Sequence, residues 1–440
     1  RAQYPKCLVV SAVDADDIHV PLLVWWASER LLTVDRSATL AALADHPRPL
    51  WESRLGREVL QQRVARRLAA GARSDRAALA RLLDAAPDAA ARTRLLAGIE
   101  EAFAGRPPGG LPDDLLAAIA RAGGGSRALR LRLGDAPVVA AALGRLGDQA
   151  VPVAERLGDI AILGETRPPA AYAAFAALAA GTAEPVVRSA AVAALEGWDD
   201  AATADALFSL LPAAPPEVAS AALTALAGRS EWAGRLLAAV EAGTVAKDAV
   251  PAAAVDRLRL HRGLDADHVA RLFGAVDDAA RASAAAAAEV ERLAGMLAAG
   301  SGSPVPGRDL FAKSCGACHR LFGSGGQIGP DLTSHDRSDP RALLVHVVQP
   351  SAAIREGYET TVLQTDDGRV LSGFVVEEDP GVVVLRLPDG RTESLPRGSI
   401  EELRRSPESI MPTGLLRDYS SQDVRDLFAY LRATQPVPGR

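Results

Sequence analysis

The chain has 440 residues, 48% hydrophobic and only 4% aromatic, with 49 basic against 55 acidic side chains for a formal charge of −6, and three cysteines. That length calls for two to four domains, and so few cysteines cannot staple a disulfide scaffold, so any core must be a packed apolar one. A negative balance without a Lys/Arg-dense stretch makes nucleic acid and anionic membrane surfaces poor partners.

The first residue is Arg1, preceded by neither a methionine nor a charged-then-apolar leader, which reads as a processed product or a piece of something longer. No run of about 20 strongly apolar residues occurs, so no transmembrane segment is expected.

Residues 1–50 concentrate aromatic surface in Tyr4, Trp25 and Trp26, with Trp51 just beyond. The stretch from Asp17 to Trp26 reads as the start of a helix, with Pro21 near its first turn and an apolar face behind it, capping the helical array. A second reading has these aromatics facing a further domain.

Residues 51–299 are rich in Ala, Leu, Val and Arg and are broken by Pro or Gly every 12 to 20 residues, as helix pairs joined by tight turns require. Val187–Leu195 aligns with Val218–Leu226 at an offset of 31 residues, each just after a proline (Pro185, Pro216). That offset fits two helices with their turns, the unit of a HEAT-like α-solenoid, against the plainer reading of an alanine-rich bundle. The exposed faces of such an array are a place for a protein partner.

A Gly/Ser/Pro linker, residues 300–306, precedes a third region, 307–440, that carries the distinctive chemistry. Its centre is Cys315-Gly-Ala-Cys318-His319, the C-x-x-C-H signature of covalent haem attachment. Two thiols on one turn can form thioethers to both vinyl groups while the next imidazole faces the iron. A structural zinc site would need a second Cys/His pair, and the remaining cysteine is the distant Cys7. A thioredoxin-like redox pair would need a βαβ setting, which this region lacks.

The flanks resemble class I cytochromes c. Gly307 and Phe311 precede the motif as in the N-terminal helix of that family, and Asp426-Leu-Phe-Ala-Tyr430-Leu resembles its C-terminal helix, with Leu427 and Tyr430 on the face that meets Gly307 and Phe311. Ser420 or Ser421 offers the N-cap. Gly329-Pro330-Asp-Leu332 resembles the loop whose proline carbonyl accepts the Nδ1 proton of the proximal histidine, which would make Pro330 the partner of His319. Met411, in Ile-Met-Pro412, stands where the resemblance implies an axial thioether, with His335 and His346 as alternative nitrogen ligands. The implied cofactor set is one haem c per chain, with His319 and Met411 on the iron.

Between the motif and Met411 lie β-branched runs at Tyr358–Thr365, Val370–Val376, Val382–Leu387 and Thr392–Leu395, separated by Asp-Gly and Asp-Pro-Gly turns. They predict a four-stranded antiparallel meander over 357–400, inserted beside the haem, its charged residues on solvated faces. The fold class is thus mainly α, a HEAT-like array followed by a cytochrome c domain with a small β insertion.

That arrangement, opening on Pro21-Leu-Leu-Val-Trp-Trp26, resembles the haem-binding membrane-bound dehydrogenase family of Planctomycetes and Verrucomicrobia, in which a sugar-dehydrogenase-like β-propeller commonly precedes the helices. The resemblance implies the electron-accepting part of a larger oxidoreductase, with an electron-donor dehydrogenase domain and a downstream redox acceptor as partners. Residues 1–300 contain no catalytic constellation, so this chain alone reads as an electron carrier more than an enzyme. A second class of function is a protein-binding scaffold with an accessory or sensing haem. Because haem is attached to C-x-x-C-H outside the cytoplasm, a periplasmic or other extracytoplasmic location is expected. After residue 300 there are 16 basic and 19 acidic residues, a balance of 16 − 19 = −3, too small for strong charge steering.

Overall fold

The computed structural model describes residues 15–437 apart from 18, 35–37, 40–47, 105–106, 275–278, 327, 356, 379–380, 389 and 407–408. Tyr4, Cys7 and the turn residues Asp379, Pro380 and Asp389 therefore lie outside the described residues. The chain forms two compact units, Arg1–Leu178 and Ala179–Arg440. Among the described residues no helix is long and apolar enough to cross a membrane.

In the first unit, α1 (Val20–Val34) begins where the sequence places it: Asp17 Oδ1 accepts from the amides of His19 and Val20 at 2.7 and 2.9 Å. Trp25 is buried beneath the Arg63 guanidinium, while Trp26 is 54% exposed. Helices α2 (Gln61–Ala70), α3 (Arg73–Asp84), α4 (Ala89–Ala102) and α5 (Asp113–Arg121) pack alternately, α2 on α4 and α3 on α5. Leu79, Leu83, Leu95, Ile99 and Leu115 form the centre of their core.

Then come α6 (Arg127–Arg132), α7 (Ala136–Arg145) and α8 (Val153–Thr166), joined by one buried carboxylate. Asp159 takes Arg127 at 2.6 and 2.8 Å and Arg145 at 2.7 Å. Burial alone would raise its pKa, but the two arginine hydrogen bonds outweigh that and hold it below its ordinary 3.8. A depressed carboxylate stabilises the fold above its unfolded value and loses that contribution as the pH falls through the folded one. Asp159→Ala should therefore cost about 3 kcal/mol at pH 7. In denaturant titrations the gap from wild type should narrow below about pH 4.

In the second unit the two 31-residue echoes become α9 (Pro185–Leu195) and α11 (Pro216–Leu226), flanking α10 (Ala201–Leu210). They bury matching positions: Val187, Ala191, Val192, Ala194 and Leu195 in one, Val218, Ala222, Leu223, Ala225 and Leu226 in the other. The same face is used twice, and α9 packs on α11. There follow α12 (Ser230–Glu241), α13 (Ala252–Leu260), α14 (Ala266–Phe273) and α15 (Ala279–Ala298).

Two boundaries differ from the sequence reading. Helix α15, assigned there to the array, contributes Val290 and Leu293 to the core around Phe311 and Leu427, with Met296 and Leu297 packed at its edge. The supposed linker also ends early, because α16 (Pro304–Ser314) starts at Pro304 with Ser303 as its N-cap. A proline at the first helical position gives up no hydrogen bond and has the right φ already, so a Pro-rich stretch can open a helix.

The insertion is a five-stranded antiparallel sheet, β3 (Thr361–Thr365), β4 (Val370–Glu378), β5 (Val382–Arg386), β6 (Thr392–Pro396) and β7 (Ile400–Arg405), in the order β6-β5-β4-β3-β7. The four expected strands are present. The fifth extends the insertion to residue 405 and pairs with β3, so the sheet is more than a meander. Its sequence, Ile-Glu-Glu-Leu-Arg-Arg, lacks a β-branched run, as suits an edge strand whose charges discourage further pairing.

Nor are all the insertion's charges solvated. Arg369, 9% exposed, binds Glu393 at 2.6 Å and Asp367 at 3.3 Å, beside Arg229, which is 4% exposed. Arg229 reaches Asp367 at 3.3 Å and the carbonyl of Glu196 at 3.1 Å. Backbone bonds run alongside, from Val370 N to Gly228 O at 2.9 Å and from Ser230 N to Gly368 O at 3.1 Å. The β3–β4 turn is thus docked on the loop between α11 and α12. Buried charge is tolerated there because each arginine meets a carboxylate or a carbonyl.

Candidate haem site

Helix α16 ends at the motif. Cys315 is its C-cap residue, and the chain continues for one further turn, with His319 N donating to Cys315 O at 2.9 Å and Cys318 N to the same oxygen at 3.1 Å. That turn gathers two thiols and an imidazole within five residues, all half-buried. Both cysteines are free thiols. Burial, and the neighbouring Cys318, push the Cys315 thiol up to about 11, and burial raises Cys318 as well. A redox-active pair needs a lowered thiol value, and burial here acts in the opposite direction. Among the described residues no group of three His, Cys, Asp or Glu could hold a metal ion.

Next comes a minimal hairpin of two-residue strands, β1 (Arg320–Leu321) and β2 (Ser324–Gly325). Its turn residues, Phe322 and Gly323, have φ of +54° and +81°, as a type I′ turn requires. Phe322 bears this unfavourable backbone because its ring packs edge-on against Tyr430, 6.1 Å away, and lies under Arg337.

The loop after the hairpin returns to the motif. Gly326 N donates to Gly316 O at 2.8 Å and Gly329 N to Cys318 O at 2.9 Å. Pro330 O lies 3.0 Å from His319 Nδ1. A carbonyl can only accept, so Nδ1 carries the proton and Nε2 keeps its lone pair for a metal. Gly329 is required by contact, since a Cβ there would sit 2.5 Å from Cε1 of the imidazole.

Behind the site, α16 crosses α18 (Ser421–Leu431). A Cβ on Gly307 would lie 1.9 Å from Asp426 O, and Phe311 meets Tyr430 at 5.4 Å between ring centroids. Ser420 is the N-cap of α18, in a reciprocal capping box with Asp423. Arg337 donates to Ala433 O at 2.8 Å and also to Leu431 O, closing the far end of that helix. Neither Phe322 nor Arg337 was singled out in the sequence, although the Phe-Gly pair just after the motif is a readable turn signal.

Cys315, Cys318, His319 and Pro330 are thus gathered in one place. Met411 lies half-buried on the separate segment before α18. Its amide donates to Ser409 Oγ at 3.2 Å, and Ser409 N donates to Ser351 Oγ at 3.0 Å, which ties the segment to the end of α17 (Pro340–Val348). His335 and His346 are both exposed and meet edge-on, 5.9 Å between ring centroids.

Free paired thiols, an imidazole with Nε2 left open and a glycine backbone against its ring fit a covalently held haem, and they define a cytochrome c domain at the C-terminal end of a largely helical chain. Comparison with protein families agrees, for the family model described as Cytochrome c matches residues 304–368, which include the motif, Pro330, α17 and β3. No curated protein matches the chain. The cofactor is haem c, an iron porphyrin, and the chemistry it brings is electron transfer.

Proposed function

We propose that the chain is a c-type cytochrome in which Cys315 and Cys318 carry one haem by thioether bonds, His319 is its proximal ligand and Met411 its distal one. The observation that carries this reading is the His319–Pro330 pair at 3.0 Å, set one turn beyond free Cys315. When bound, the haem supplies a one-electron couple at its iron. The residues provide the rest: Pro330 fixes the imidazole's tautomer and orientation, and the half-buried setting limits water. Met411 would supply a thioether to the iron, a ligand that suits electron transfer more than oxygen chemistry and would raise the potential above that of a bis-histidine site.

Met411→Ala should remove the weak absorption band diagnostic of an iron–thioether bond and lower the potential. An unchanged spectrum would remove Met411 from the ligand set and bring back His335 or His346.

The helical region is read as a HEAT-like array, supported by the repeated buried register of α9 and α11. In the wider proposal this cytochrome is the electron-accepting part of a larger extracytoplasmic dehydrogenase of the planctomycete and verrucomicrobial type, taking electrons from a dehydrogenase domain and passing them to a separate redox acceptor. A reduced dehydrogenase of that type should reduce the holo-protein within its own turnover time. The second reading, a scaffold with an accessory haem, draws on the apolar side chains that α1 leaves in solvent, Leu23 at 55% and Trp26 at 54% exposed.

A further inference from the structure

Besides the Arg262–Glu402 ion pair at 2.7 Å, the β insertion has two attachments that matter here. One is the arginine-lined contact of its β3–β4 turn with the α11–α12 loop. The other involves its β5–β6 turn, where Gly390 adopts φ +84° and a Cβ on it would meet Ile328 Cδ1 at 3.6 Å. Next to it, Arg391 donates to the carbonyl of Ala193 in α9 at 3.3 Å.

Ile328 is 9% exposed, sits two residues before Pro330 and directly precedes Gly329, whose backbone lies against the imidazole. It thus lies beside the β5–β6 turn, and the insertion in turn is fastened to the helices.

We infer that Ile328 is a positioning residue and that the insertion acts as a clamp, through which helices α9, α11 and α12 hold the Gly329–Pro330 loop against His319 and keep water from the proximal side of the haem. One observation and two general physical effects combine in this. The loop is tied to the motif turn by the backbone bonds Gly326 to Gly316 and Gly329 to Cys318, by His319 Nδ1 to Pro330 O and by Leu332 N to Arg320 O. An apolar side chain pressed from outside is what keeps such bonds closed. Oxidised iron carries one more positive charge than reduced iron, so letting water reach the site favours the oxidised form and lowers the potential.

This inference rests on His319 as proximal ligand, which is tested separately: His319→Ala should lose the six-coordinate low-spin spectrum while keeping covalent haem. The clamp itself is tested in the holo-protein by two measurements together, amide hydrogen exchange across residues 325–332 and the reduction potential. Ile328→Ala should speed exchange in that loop by roughly tenfold or more and lower the potential, while Ile328→Val stays near wild type on both. Arg391→Ala, which leaves the loop's sequence intact, should change both in the same direction by a smaller amount. If Ile328→Ala leaves exchange and potential unchanged, or Arg391→Ala leaves both unchanged while the sheet remains folded, the clamp is overturned. Faster exchange with an unmoved potential would overturn the inferred control of the haem.

Discussion

Replacing Cys315 and Cys318 together by alanine is expected to abolish covalent haem altogether. Expressed in a host with a cytochrome c maturation system, the wild-type chain should keep its haem through denaturing electrophoresis and the double variant should show none. Each single variant should retain haem through the remaining thioether, with a reduced absorption band displaced from wild type. The expectation follows from the turn that begins at Cys315, where two free thiols share one helical turn with His319. Burial raises both thiols above their ordinary value. Haem that survives denaturation in the double variant would remove the motif from its assigned role.

The second large effect is structural. Gly307→Ala puts a methyl group 1.9 Å from Asp426 O and 2.6 Å from its carbonyl carbon, both in backbone that has no room to retreat. Helices α16 and α18 must then move apart, loosening the Phe311–Tyr430 contact, at a cost of about 3 kcal/mol. A control is built into the neighbouring helix. Gly295, in α15, has nothing within 4 Å of an added Cβ, and Gly295→Ala should stabilise by about 0.5–1 kcal/mol. Thermal denaturation of the two variants should therefore move in opposite directions, and equal shifts would refute the crossing argument.

Legibility in the sequence divides along physical lines. The cofactor motif, the Gly307 crossing, the Ser420 cap and four of the five strands were legible because each rests on local chemistry: paired thiols, a missing Cβ, a side-chain acceptor or a β-branched run. The placement of α15 was not, since alanine-rich helices with leucines at helical spacing fit an array and a cytochrome core equally well. Strand β7 escaped because its charges hide the alternation of an edge strand. The burial of Arg229 and Arg369 was hidden for a different reason. An arginine in sequence looks solvated until the carboxylates that meet it, Asp367 and Glu393, are brought in by tertiary contact.

The two helices that cross behind the motif also bear on how the chain folds. The amide of Ser303 reaches the carboxylate of Asp426 across 123 positions, so joining them as a flexible coil means closing a very long loop. The sheet between them closes through its own short turns, and each halving of the effective loop saves only about 0.6 kcal/mol of closure entropy. Its larger effect is on rate, because preformed strands turn a distant encounter into a near one. The consequence to expect in stopped-flow refolding is that variants weakening the β3–β4 turn slow the assembly of α16 with α18, and so delay the moment at which the apoprotein offers both thiols to the haem.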